Sequence, residues 1–236
     1  MELFNKDFAS VYDARFVKLA PQKDALHLLM RIIFGELPER ARILCVGVGT
    51  GAELFALARV FPHLEFTAVD PSQPMLEICE KRAHEEGIAS RCTFHNGYIE
   101  TLPQSDPFNA ATSLLVSQFL VRKGERIAFF RTISQHLRPG GVLINADLSG
   151  DLDSPDSDGL KRIWQKMLLY NGAPQTEAAG FLEGWKKHVA VLPPSQVEEI
   201  IAAGGFEKPS LIYQSLFIHG WFAKRQEVVY SNERSS

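Results

Sequence analysis

A chain of 236 residues, 45% of them hydrophobic, can bury one full core, and no linker, repeat or low-complexity tract divides it. A formal charge of −3 argues against a general polyanion binder, so a nucleic-acid partner is not expected. No apolar run is long enough to span a bilayer. In chain order, residues 4 to about 35 read as helical, with Phe8, Val11, Tyr12 and Arg15 on one face and Leu26, Leu29, Met30 and Ile33 on another. A strand is predicted over 42–47. Behind it, Leu54, Leu57, Ala58 and Phe61 form one helical stripe that Pro62 stops. A second strand ends at Asp70, and a helix from about Pro74 buries Met75, Ile78 and Cys79. Strands follow over 92–95 and 108–115, then a helix over about 122–137. Pro139-Gly140-Gly141 turns that helix into a strand over 142–147.

Beyond that strand the pattern changes. A loop rich in Asp, Ser, Gly and Pro over 149–157 feeds a helix carrying Leu160, Ile163, Trp164, Met167 and Leu168, ended by Asn171-Gly172. A second helix from about Thr176 shows Phe181, Trp185, His188 and Val189, and Trp164, Met167 and Trp185 read as core of this unit. Ser195 and Glu198 form a capping box for a third helix that Gly204-Gly205 closes. Two last strands, 207–213 and 216–223, are joined too tightly for a helical crossover and form an antiparallel hairpin. The tail from Gln226 is polar. The densest basic patches, Arg122-Lys123 with Arg126 and Lys186-Lys187-His188, read as solvated helix faces. Cys45, Cys79 and Cys92 have no metal-like spacing and suit buried thiols in a reducing compartment. Met1 to Ser10 mixes charge with apolar residues and does not read as a signal peptide, so a cytoplasmic location is expected.

The chemistry is concentrated between residues 43 and 70. An apolar strand runs into Gly47, Gly49 and Gly51, and a helix starts at once behind them. Glycine suits a backbone that turns sharply or approaches another molecule closely. Asp70, nineteen residues past Gly51 at the end of the next strand, can accept hydrogen bonds from ribose hydroxyls. Together they predict a nucleoside-containing cofactor. The order G-x-G-x-G, followed by Ala52, is not the G-x-G-x-x-G of dinucleotide folds, which disfavours an NAD-dependent oxidoreductase.

This form resembles motif I of the class I S-adenosylmethionine (SAM) methyltransferases. The resemblance continues through Asp70-Pro71-Ser72-Gln73-Pro74-Met75-Leu76, through residues 95–103 and 108–120, and through Leu137-Arg138-Pro139-Gly140-Gly141-Val142-Leu143. It spans roughly 40 to 147. It implies an α/β, Rossmann-like, doubly wound, mostly parallel seven-stranded sheet with a C-terminal antiparallel hairpin and a helical cap. The chain is then a single domain, 1–236, with N-terminal lid helices over 1–35 and a cap insertion over 150–192. SAM is the implied cofactor, held by Gly47, Val48, Gly49, Gly51, Asp70, Pro71, Met75, Gly97, Tyr98, Ile99 and Leu114. Three positions depart from the pattern. Cys45 stands where an acid is usual, Tyr98 replaces another acid, and Gln118-Phe119 stands where many relatives carry a His pair. The candidates for a catalytic role are Tyr12, Gln118, Tyr170 and His188, each with packing or surface placement as its competing reading. The implied activity is methyl transfer to a small-molecule acceptor by in-line displacement, without a metal. A SAM-binding module without turnover is the alternative, as is an enzyme similar to carboxy-SAM synthase of tRNA modification. A homodimer is compatible with all of these.

Overall fold

The computed structural model describes residues 20–227. Among them, seven strands form one sheet: β1 (Arg42–Val46), β2 (Glu65–Asp70), β3 (Cys92–Asn96), β4 (Phe108–Leu114), β5 (Leu137–Leu148), β6 (Ser210–Ser215) and β7 (Ile218–Lys224). Their order is β3-β2-β1-β4-β5-β7-β6. The first five run parallel, and β7 lies antiparallel between β5 and β6. Helices follow β1, β2 and β4, whereas β3 leads to β4 through the 3-10 turn Ile99–Thr101; with both faces of the sheet covered, the central strands carry apolar residues on both sides.

The alternation is plain in β1. Ile43 and Cys45 join a core with Leu26, Met30 and Phe34 of α1 (Ala20–Phe34), Leu54 and Phe55 of α2 (Ala52–Ala58), and Leu76 and Cys79 of α3 (Gln73–Glu85). Leu44 and Val46 face the opposite layer, against Phe129, Phe130 and Ile133 of α4 (Lys123–His136). That layer also holds a further helix, Pro194–Ala203, through Val197, Ile200 and Ile201, together with Trp221. Between the two lies the cap, α5 (Asp158–Tyr170) and α6 (Gln175–His188), which makes Pro194–Ala203 helix α7. Trp164, Trp185 and Phe181 of the cap cluster with Phe217, at the turn between β6 and β7.

Four expectations are corrected. The Pro139-Gly140-Gly141 run is no turn ahead of β5 but a bulge inside it. Leu137 already pairs with Phe108, the register then jumps to Ala110 opposite Val142, and Gly140 N–H is held by Arg225 O at 3.1 Å. The capping box does not form, because α7 starts at Pro194 and the Pro193 carbonyl accepts from Gln196 and Val197 N–H. Glu198 instead accepts from Trp221 Nε1 at 3.3 Å. Helix α2 ends at Ala58, three residues before Pro62 comes into play. Arg126 is not on a solvated face; it is fully buried. The positions Phe8, Val11, Tyr12 and Arg15 lie outside the described residues.

Candidate functional site

The glycine loop turns by left-handed backbone at each glycine, with φ of 67° at Gly47, 55° at Gly49 and 87° at Gly51. Gly47 and Val48 N–H both reach Val69 O, at 2.8 and 3.2 Å, which ties the loop to the end of β2. A Cβ added at Gly47 would lie 2.4 Å from Val116 Cγ2, and one at Gly51 2.6 Å from Cys79 Sγ and Phe55 Cε2. At Gly49 it would meet Met75 Cε alone, at an ordinary 3.5 Å. Two glycines therefore let the loop close onto its own core. The third leaves bare main chain beside Met75.

Asp70 sits at that place. Its Oδ2 accepts from Gly49 N–H at 2.8 Å and its Oδ1 from Ser72 N–H at 2.8 Å. Burial pushes its carboxyl up, while the two amides pull it back toward the charged form. Each oxygen keeps acceptor capacity beyond the amide it holds. The Asp70 carbonyl accepts from Gly97 N–H and Asn96 Nδ2, both at 3.1 Å, so the third predicted segment is fastened to the same residue. Tyr98 beside it is half exposed, while Ile99, Met75 and Val48 are buried. Pro71 and Leu114 are partly buried. The structure thus brings Gly47, Val48, Gly49, Gly51, Asp70, Met75 and Gly97 into one connected group. A glycine floor, a strand-end carboxylate with spare lone pairs and a thioether flank fit a ribose-bearing nucleoside such as SAM.

One acid went unread in the sequence. Glu53, in the first turn of α2, is buried, and its carboxyl is pushed up to about 7. Burial is the main cause, and Asp70 adds to it, while its own backbone amide and Lys23 act in the other direction. Glu53 follows Gly51 by two residues, but that spacing alone does not mark a first-turn glutamate as buried.

At the exit of β4 the backbone is strained. Leu115 has φ of 59°, rare for a residue with a Cβ, and its N–H bonds Ala146 O at 2.6 Å. A single 3-10 turn, Ser117–Phe119, follows. Beneath it lies a buried polar network. Asp147 accepts from Ser117 Oγ at 2.6 Å, Gln118 N–H at 3.0 Å, Asn145 Nδ2 at 2.7 Å and Arg126 at 2.9 Å. Arg126 also donates to Ser117 Oγ at 2.8 Å and to Ala190 O at 3.3 Å. Of the catalytic candidates, Gln118 is buried here. Its side-chain oxygen accepts from Leu148 N–H at 2.6 Å and its carbonyl from Ala190 N–H at 2.7 Å. Tyr170 and His188 are exposed at the last residues of α5 and α6. Tyr12 lies outside the described residues. A separate cleft of about 430 Å³ lies between residues 150–153 and 189–193, and shares no lining residue with the glycine loop. Among the described residues, no cluster of His, Cys, Asp or Glu could hold a metal ion, and no helix is long and apolar enough to cross a membrane.

Residues 43–141 match a family model described as a methyltransferase domain. The chain is 28% identical over 169 residues to erythromycin 3''-O-methyltransferase of Saccharopolyspora erythraea, covering 67% of this chain and 54% of that protein. It is 29% identical over 145 residues to carboxy-S-adenosyl-L-methionine synthase of Campylobacter hominis, covering 61% and 60%. The chain thus spans little more than half the length of these curated relatives. Its fold is similar to that of an O-methyltransferase family 2 protein from Planctomyces limnophilus in complex with apigenin, with TM-score 0.65 and 16% identity over 94% of this chain and 62% of that one.

Proposed function

We propose that the chain is a class I SAM-dependent methyltransferase that transfers a methyl group from SAM to a small-molecule acceptor, a reading supported by the methyltransferase-domain match over residues 43–141. The observation that carries this reading is the joint between Gly49 N–H and the Asp70 carboxylate at 2.8 Å, on a loop whose other glycines close inward. SAM supplies an activated methyl on a sulfonium, so the protein has to bind, align and exclude water. Alignment of reacting groups can supply on the order of 7–11 kcal/mol.

In this reading Asp70 takes the ribose hydroxyls, the loop at Gly47, Val48, Gly49 and Gly51 carries the cofactor's chain, and Met75 and Tyr98 flank the base. Pro71, Gly97, Ile99 and Leu114 shape the same crevice. The exit of β4 is the acceptor side. Leu115, Phe119 and Val121 are exposed apolar residues within seven positions there, which suits an acceptor with an apolar body. The 150–192 cap, bonded through Ala190 to Arg126 and Gln118, forms the wall that holds water out. With Gln118 engaged by Leu148, no side chain of the described residues is assigned as a base. Methyl transfer then relies on orientation, and the acceptor's proton leaves to solvent. A cytoplasmic setting suits three reduced thiols.

The test is calorimetric titration of SAM into the wild type and Asp70→Ala. The variant should bind at least about tenfold more weakly, since it loses charge-assisted hydrogen bonds. Equal affinity removes the ribose assignment. The likeness to carboxy-SAM synthase favours one second reading, modification of SAM itself, and the mass of the co-purifying nucleoside separates the two.

A further inference from the structure

We propose that the cleft between residues 150–153 and 189–193 is a second small-molecule site, built for an organic cation with an apolar body, and that its occupancy is transmitted to the exit of β4. The inference stands apart from the SAM reading, because it rests on the walls of the cleft alone.

The cleft encloses about 430 Å³, a volume that suits a small organic ligand. One wall is the chain that leaves β5, and the other is the chain that leads from α6 into α7. They are tied together at Leu192, whose carbonyl accepts from Gly150 N–H at 2.9 Å and from Ser149 Oγ at 2.7 Å. Gly150 also lies so close to Phe217 that a Cβ there would come within 2.9 Å of its ring. The walls are therefore fixed before any ligand arrives. Leu152, Val189 and Val191 line the cleft as half-buried apolar side chains.

The charged groups along it are Asp151, Asp153 and Lys186. Asp151 is pinned in place. Its Oδ1 accepts from Asp153 N–H at 3.1 Å and from Ser154 N–H at 3.3 Å, and its carbonyl accepts from Ser157 Oγ. Both amides are on Oδ1, which leaves Oδ2 to solvent or a ligand. Lys186 stands 3.9 Å from Asp153, a long ion pair between two exposed side chains that is worth little and yields to a competing cation. Two carboxylates against one ammonium leave the cleft net negative, which favours an ammonium over an anion. The link to β4 runs through Ala190. It lines the cleft, gives its N–H to Gln118 O at 2.7 Å and accepts from Arg126 at 3.3 Å.

The experiment titrates tryptamine, a primary ammonium on an indole, into the isotope-labelled full chain and follows its amide resonances. Indole-3-propionate, the same ring on a carboxylate, is the counterpart. Tryptamine should move Gly150, Leu152, Ala190 and Leu192 saturably at millimolar concentration, carry Gln118 with them and leave Gly49 and Gly51 in place. Its affinity should exceed that of indole-3-propionate about tenfold. Asp151→Asn keeps the oxygen that holds both amides and removes the charge. Combined with Asp153→Asn, it should weaken tryptamine about tenfold. Val191→Trp, which fills the cleft from a half-buried position, should abolish the shifts. Absence of saturable shifts up to about 20 mM, shifts at the glycine loop in place of the cleft, equal binding of the carboxylate, or full affinity in the double variant overturns the site. A Gln118 amide that stays still while the cleft fills overturns the link to β4. If a variant does not fold, the comparison of the two compounds on the wild type decides.

Discussion

At Gly47 any side chain would run into Val116 Cγ2 at 2.4 Å, whereas at Gly49 the same atom would touch only Met75 at 3.5 Å. Both residues have positive φ, which costs an L-residue roughly 1–2 kcal/mol. Gly47→Ala adds a steric conflict and should lose about 2–4 kcal/mol in urea unfolding. Gly49→Ala should lose about 1–2 kcal/mol, yet weaken SAM more than its stability loss explains, because the new methyl stands on the bare floor. If Gly49→Ala binds SAM normally, that floor is not where the ligand lies. Glu53 gives a prediction of opposite sign. Its folded pKa of about 7 exceeds the ordinary 4.5, so its neutral form is the one the fold favours. The stability it contributes is complete below about pH 4.5 and lost as pH rises through 7. Glu53→Gln mimics the neutral form. In chemical denaturation without ligand it should match the wild type at about pH 4.5 and exceed it, by on the order of 3 kcal/mol, above pH 8. Asp70 was legible because a strand-end acid after a glycine loop has a known use. Glu53 was not, because a glutamate in a first helical turn ordinarily faces solvent, and α2 here buries every residue from Glu53 to Ala58.

Arg126 shows what helical spacing does carry. It lies three, four and seven positions before Phe129, Phe130 and Ile133, all buried, and so shares their face of α4. Its charge made it look like part of a solvated patch, but the period placed it inside. There it meets Asp147 at 2.9 Å with both side chains fully buried. Removing one partner strands the other charge, so Arg126→Met and Asp147→Asn should each lose about 3–5 kcal/mol. The double variant should lose clearly less than the sum in a urea double-mutant cycle. Additive losses contradict a direct pairing. Because Arg126 also reaches Ala190, and Gln118 holds the same residue from the other side, this element joins the β4 exit to the cap. Other element ends were harder to read. Ser195 and Glu198 have capping-box spacing, but Pro194 already starts α7 with a fixed φ, which puts the cap at Pro193, two residues ahead of Ser195. Pro139-Gly140-Gly141 has turn chemistry, yet the edge carbonyl of Arg225 holds Gly140 within the ladder. Neither Arg225 nor Trp221 is near these residues in the chain, so local pattern had no access to them.

The sheet was legible over 42–147 because β1, β2, β4 and β5 are apolar runs buried on both sides, with helices after β1, β2 and β4. How the cap attaches to that sheet was not, because the attachment is a contact between aromatics far apart in sequence. Phe217 is fully buried at the β6–β7 turn, with its ring centroid 5.9 Å from that of Trp164 and 5.5 Å from that of Trp185. Trp185 in turn packs edge-on to Trp164 at 5.0 Å and Phe181 at 5.1 Å. The cap helices bury few of their own residues completely, Trp164 in α5 and Ala178 in α6. Their hold on the sheet therefore depends on this aromatic cluster and on the bonds at Ala190 and Leu192. Phe217→Ala should cost about 3–5 kcal/mol by the transfer and cavity terms of a buried aromatic. The loss should not be uniform. Amides of α5 and α6 should exchange with solvent faster by a larger factor than those of β1 and β4, since the cap loses its anchor while the central strands keep both of theirs. SAM affinity, set at the glycine loop, should change little. Uniform acceleration across sheet and cap would mean that cap and sheet open as one unit and that the cluster does not define a separable cover.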